Sequence, residues 1–126
     1  MSKRILIVED KEDLRAILRD YLTASGYEVV EALDGVEAVA LARSEHPDLI
    51  LMDIQLPNLD GYEATRLIKG DPGVGSTRII AVSSYAMRGD EEKARASGCD
   101  GYVTKPYSPV KLLAMIRSIL AEDGAG

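Results

Sequence analysis

One cysteine in 126 residues rules out an internal disulfide, so no covalent staple holds this chain. That residue, Cys99, sits in Ala96-Ser97-Gly98-Cys99-Asp100-Gly101 with no basic neighbour or helix start to activate a thiol, and is expected to be a small buried apolar residue. No apolar run approaches the roughly 20 residues that span a bilayer. Met1-Ser2-Lys3-Arg4-Ile5 passes at once into strand-like sequence, which leaves no room for the apolar stretch and cleavage site of a secretory leader. A cytoplasmic protein with no membrane contact is therefore the expectation. Basic residues are outnumbered 15 to 21, for a net charge of −6. With no arginine stripe or lysine run to neutralise phosphates, direct nucleic-acid binding is not expected. A glycine-rich phosphate turn is also missing after the first strand-like run, where the sequence is Val8-Glu9-Asp10-Lys11, and this counts against a nucleotide or flavin binder.

What is present is an alternation. Apolar residues make up 46% of the chain, enough for one buried core in a domain of ordinary size. Strand candidates are Arg4–Val8, Glu28–Glu31, Asp48–Asp53, Ile79–Ser83 and Tyr102–Lys105. Ile5-Leu6-Ile7-Val8 and Leu49-Ile50-Leu51-Met52 are apolar without alternation, as in strands buried on both faces of a parallel sheet. Between them lie helices. Leu14, Ile17, Leu18, Tyr21 and Leu22 form the apolar stripe of the first, which Gly26 stops. Asp34-Gly35-Val36-Glu37 and Asp60-Gly61-Tyr62-Glu63 read as capping-box starts of the second and third. The fourth, over Gly89–Gly98, offers only alanines to a core and should be weakly anchored. The last opens at Ser108-Pro109 and carries Leu112, Leu113, Ile116, Ile119 and Leu120. Five strand–helix repeats predict an α/β fold, a (βα)5 three-layer sandwich with right-handed crossovers. Residues 1–122 are expected to form one domain, with a frayed tail at 123–126.

Ligands of open parallel sheets bind beyond the carboxyl ends of the strands. Glu9 and Asp10 follow the first strand, Asp53 ends the third, Ser83 the fourth and Lys105 the fifth. Three carboxylates, one hydroxyl and one ammonium thus converge on one edge. Two unit charges about 4 Å apart cost about 4 kcal/mol at an effective dielectric of 20. Such repulsion calls for a counter-charge or a raised pKa. A hard divalent cation supplies the first, and Mg²⁺ suits, since it takes one or two carboxylates, keeps waters and bridges to phosphoryl oxygens. Lys105 adds a directional positive charge, and Ser83 can donate to a phosphoryl oxygen. The set describes a site for phosphoryl transfer with Asp53 as nucleophile, forming an acyl phosphate. Asp48 and Asp60, by contrast, fit as turn or cap residues.

The chain closely resembles the CheY-like receiver domains of bacterial response regulators, along essentially its whole length. The resemblance rests on Ile5-Leu6-Ile7-Val8-Glu9-Asp10, on Pro47 through Met52-Asp53 to Asp60-Gly61, on Ile80-Ala81-Val82-Ser83, and on Gly101-Tyr102-Val103-Thr104-Lys105-Pro106-Tyr107. Asp60-Gly61-Tyr62-Glu63 and the Ala86–Glu92 segment look most like the single-domain, DivK-like branch. The resemblance implies a flavodoxin-like sheet in the order 2-1-3-4-5 and Asp53 as phosphoacceptor. It implies Mg²⁺ held by Asp10, Asp53 and the backbone carbonyl of Gln55, with Glu9 acting through a metal-bound water. Ser83 would be the switch hydroxyl, Tyr102 the aromatic that rotates inward as Ser83 moves, and Lys105 the phosphoryl ligand, with a cis Lys105–Pro106 bond. The implied phosphodonor is a histidine kinase or histidine phosphotransfer protein, and the output is a downstream protein bound through helix 4, strand 5 and helix 5. A monomer or a weak phosphorylation-dependent dimer is implied, with slow self-dephosphorylation as the sole turnover.

Departures from the common pattern are Ser84 and Tyr85 after the switch residue and Lys11 where many relatives carry another acid, its ammonium placed to weaken Mg²⁺ binding. His46 reads as a surface residue. Rival readings are a receiver module from a hybrid kinase or larger regulator, a receiver fold that binds partners without phosphorylation, and an aspartate-nucleophile phosphatase. The last typically needs a second Asp two residues after the nucleophile, where this chain has Gln55.

Overall fold

A computed structural model of the chain describes residues 3–83 and 90–123, the side chains of 90, 122 and 123 excepted. Strands and helices alternate as β1 (Arg4–Val8), α1 (Glu12–Ala24), β2 (Glu28–Ala32), α2 (Gly35–Glu45), β3 (Leu49–Asp53), α3 (Gly61–Lys69), β4 (Arg78–Ser83), α4 (Asp90–Ser97), β5 (Gly101–Thr104) and α5 (Pro109–Asp123). The strands form one parallel sheet in the order β2-β1-β3-β4-β5. Each boundary falls within a residue or two of its expected place. Residues 124–126 of the expected tail, and Ser84 and Tyr85, lie outside the described residues.

The two-sided burial expected of the apolar strands is what assembles three layers. Leu6, Val8, Ile50, Met52, Ile79 and Ala81 pack towards α2, α3 and α4. The alternate residues Ile5, Ile7, Leu49, Leu51 and Ile80 pack towards α1 and α5. All eleven are essentially without solvent contact. At roughly 2 kcal/mol for each large aliphatic side chain, this double core is the main stabilising term.

Caps set where the helices start. Asp34 Oδ1 accepts the Glu37 N–H at 2.8 Å and Asp60 Oδ1 accepts the Glu63 N–H at 2.9 Å. Ser108 Oγ accepts the Lys111 N–H at 3.3 Å ahead of α5. Gly26 follows α1 at φ +94°, a conformation that side-chain-bearing residues resist. Asp48, expected to open β3, instead accepts the Arg4 N–H through Oδ2 at 2.7 Å, which stitches the start of β3 to β1.

Two expectations about the helices meet different fates. In α1, Leu18 and Leu22 are buried as the stripe predicts, but Ile17 is 59% exposed. The helix lies beside α5, and Ile17 borders an apolar cleft of about 440 Å³ with Leu14, Pro106 and Pro109, while Tyr21, at the same cleft, also packs half-buried against the core. Among the described side chains of α4 only Ala94 and Ser97 are buried, so the helix gives the core little apolar surface, as its composition foretold. Cys99 is buried just beyond it, as expected, where burial pushes its thiol pKa up.

Candidate functional site

The carboxyl ends of β1, β3 and β5 bring the charged residues into one pocket. Asp53 is the last residue of β3 and is 4% exposed; Glu9 directly follows β1 and is 3% exposed. Register explains their proximity, because β1 pairs directly with β3 and Val8 stands opposite Met52. Asp10, one residue on, is exposed at the pocket mouth. One carboxylate oxygen from each of Glu9, Asp10 and Asp53 lies within 4.8 Å of the others.

Lys105 enters from the far side of the sheet. It directly follows β5, and its backbone N–H donates to the Ser83 carbonyl at 2.7 Å, extending the β4–β5 pairing by one step. The Lys105–Pro106 peptide is cis. From there Nζ donates to Glu9 Oε1 at 2.7 Å and to Asp53 Oδ2 at 3.3 Å. The backbone completes the pocket, with the Lys11 N–H donating to Glu9 Oε2 at 3.2 Å and the Gln55 N–H to Asp53 Oδ1 at 3.1 Å. Gln55 itself is exposed in the β3–α3 loop.

These contacts divide the charge unequally. Burial would raise the pKa of Glu9, but the hydrogen bonds from Lys105 and the Lys11 N–H outweigh it and hold the carboxyl below its usual value. Asp53 goes the other way. Burial, then the neighbouring Glu9 charge, push its pKa up to about 7 despite the nearby ammonium. Lys105 is raised: burial alone would lower it, and its two carboxylate partners reverse that. The like-charge repulsion inferred from sequence is thus met in both anticipated ways, by a counter-ion and by a raised pKa.

Ser83 is fully buried at the end of β4, one residue past Val82, the partner of Asp53 across the sheet. Tyr102 lies on β5 opposite Ala81, half-buried against the core facing α2, α3 and α4. His46 is exposed at the end of α2, remote in the fold from the strand ends that carry the acids.

Residues 5–117 match the family described as "Response regulator receiver domain". The chain belongs to the response regulator receiver family. The polar-differentiation response regulator DivK of Brucella ovis is 46% identical over 122 residues, covering 97% of this chain and 99% of the relative. A CheY-like response regulator receiver domain protein from Methanospirillum hungatei superposes with a TM-score of 0.90 at 34% identity, with full coverage of both chains. The receiver domain of the sensor histidine kinase PA1611 from Pseudomonas aeruginosa, solved with a magnesium ion coordinated in its active-site cleft, matches at a TM-score of 0.86 and 35% identity over 94% of this chain and 97% of that one. The chain is thus a DivK-like receiver of a two-component system.

Some of this receiver's pocket was invisible in its sequence. Asp34 Oδ2 accepts from Asn58 Nδ2 at 2.9 Å, and Asn58 takes a left-handed φ of +68°. This ties the loop that carries Gln55 to the start of α2. Arg15 on α1 donates to the Glu9 carbonyl through Nη1 at 3.0 Å. Neither link has a local signature: the first joins positions 24 residues apart, and the second, though it spans only six residues, depends on Glu31 of β2 holding the guanidinium.

Proposed function

We propose that this receiver takes a phosphoryl group from a histidine kinase or histidine phosphotransfer protein onto Asp53 and changes its affinity for a downstream protein. The observation that carries the reading is Lys105 Nζ bridging Glu9 and Asp53 in a pocket where three carboxylates converge. The all-oxygen donor set suits a hard cation, and the magnesium ion in the PA1611 receiver supports Mg²⁺ here. Asp10, Asp53 and the Gln55 carbonyl would hold it, with Glu9 acting through a water. Once bound, it would neutralise the acids and the charge of the incoming phosphoryl.

Asp53 then acts as nucleophile. Its carboxylate oxygen attacks phosphorus, the bond to the donor's imidazole nitrogen breaks, and that nitrogen keeps the electron pair. Lys105, already 3.3 Å from Asp53, turns to the phosphoryl oxygens, and the Ser83 hydroxyl donates to one of them. Tyr102 moves inward as Ser83 shifts. Tyr102 also lines a cleft of about 920 Å³ between α4, β5 and α5, with Glu91, Thr104, Tyr107, Lys111 and Met115, so its movement would reshape that surface for a partner. Slow hydrolysis of the acyl phosphate resets the switch, and no other substrate is turned over.

Incubation with Mg²⁺ and a small-molecule phosphodonor, read by intact mass, should add one phosphoryl group to the wild type and none to Asp53→Asn. Equal labelling of the variant would reject Asp53 as acceptor.

A further inference from the structure

Every polar atom of Glu9 is spoken for. Its N–H donates to the Ala32 carbonyl at 3.1 Å, Oε1 accepts from Lys105, Oε2 accepts from the Lys11 N–H, and its carbonyl accepts from Arg15. The last of these is a side chain outside the charged pocket. Arg15 is itself anchored, with Nε 2.9 Å from Glu31 Oε1 near the end of β2 and its side chain 13% exposed. Glu31 is shared with Arg19, whose Nη1 lies 3.3 Å from it and whose Nε lies 3.7 Å from Asp20 Oδ1, with no contact to the Glu9–Asp10 peptide among the described residues. One planar guanidinium therefore joins α1, β2 and the peptide between Glu9 and Asp10. Asp10 is exposed, and its carboxylate takes no hydrogen bond from any described residue. Its aim into the pocket is set by the backbone that carries it.

We infer that Arg15 is a positioning residue for the divalent cation: by holding the Glu9–Asp10 peptide against β2, it aims the Asp10 carboxylate. The inference rests on the reading of the pocket as an Mg²⁺ site. It makes a prediction opposite in sign to simple electrostatics. Removing a positive charge near a dication should tighten binding by Coulomb's law, whereas losing the brace should weaken it. Arg15→Lys separates the two, since it keeps the charge but lacks the fork that spans Glu31 and the Glu9 carbonyl together.

Calorimetric titration with Mg²⁺ of the wild type, Arg15→Lys, Arg15→Met and Arg19→Met, with thermal melts of each metal-free protein, tests this. Loss of an outer partner of a metal ligand typically weakens affinity about tenfold or more, and a fall of that size is expected for both Arg15 variants. Arg19→Met shares the Glu31 contact and serves as the structural control, so it should lower the melting temperature yet bind Mg²⁺ within about twofold of wild type. Arg15 variants that bind Mg²⁺ as tightly as wild type, or more tightly, would overturn the inference and leave the site reading intact. A wild-type protein that takes up no Mg²⁺ would overturn the site reading and this inference with it. Should Arg15→Met not fold, Arg15→Lys decides alone.

Discussion

At the scale of single residues, the pocket is a pair of acids with opposite fates. Glu9 takes the shorter bond from Lys105, at 2.7 Å, and keeps its charge readily; Asp53 takes the longer one, at 3.3 Å, and is held protonated up to about pH 7. Asp53 has a higher proton affinity in the folded protein than in the unfolded chain, so its ionisation opposes folding. That cost is absent below about pH 4, grows as pH rises towards 7, and is complete above it. Glu9, with its lowered pKa, acts in the reverse sense, and its contribution is lost as pH falls below its usual value of 4.5. Asp53→Asn removes the buried charge. In metal-free protein it should stabilise the fold at pH 8 by on the order of a few kcal/mol, seen as a higher melting temperature, and the gain should shrink at pH 5, where the wild-type residue is already protonated. Melts of both proteins across this range would show it; a gain that does not vary with pH would contradict it.

At the scale of elements, two neighbours of the site differ in how firmly they are held. Helix α3 begins against the end of β3, and a Cβ on Gly61 would overlap the Asp53 carbonyl oxygen and the Ile54 Cα. Both are backbone and cannot step aside. Gly61→Ala should therefore push α3 away from Asp53 and destabilise the fold by roughly 2 kcal/mol, measurable as a lower urea midpoint at unchanged slope. Helix α4 is the opposite case. It buries Ala94 and Ser97, whereas α5 buries Leu112, Leu113, Ile116 and Leu120. With each large aliphatic side chain contributing roughly 2 kcal/mol, α4 should open locally long before α5 does. Native-state hydrogen exchange should find the amides of Lys93–Ser97 exchanging at least tenfold faster than those of Leu113–Leu120. Equal protection would mean that something other than apolar burial pins α4. The Lys93 ammonium 5.3 Å from the centre of the Tyr62 ring and the Asp100 contacts to Lys69 and Arg78 would be the first places to look.

At the scale of the whole molecule, site and stability are coupled. The residues proposed to bind Mg²⁺ sit at the ends of strands and in their loops, so the folded state alone presents them together. A ligand that binds only the folded form stabilises it, by about 2.7 kcal/mol at a hundred times its dissociation constant. Melting temperature should therefore climb with Mg²⁺ at neutral pH, and chelation should reverse the rise. A flat response would tell against metal binding at this pocket.

The amino-acid sequence by itself determined the order of elements and the edge on which the chemistry gathers. Strand-length apolar runs, capping acids at 34 and 60 and a helix stripe in 112–120 are local signals, read over a few residues and little altered by what packs on them. Acids at 9, 10 and 53 and a lysine at 105 were legible for the same reason, since each sits at the end of a recognisable strand. Tertiary structure alone decided how Glu9 and Asp53 share Lys105, why Ile17 faces a cleft although its spacing points inward, and which arginine reaches the Glu9 carbonyl. Those outcomes depend on how separate segments pack: Lys105 lies tens of residues from both acids, the cleft beside Ile17 is lined from 105–109, and Arg15 is held by Glu31 on β2. Electrostatic and hydrogen-bond energies change steeply over an ångström or two, a scale that periodicity and composition do not encode.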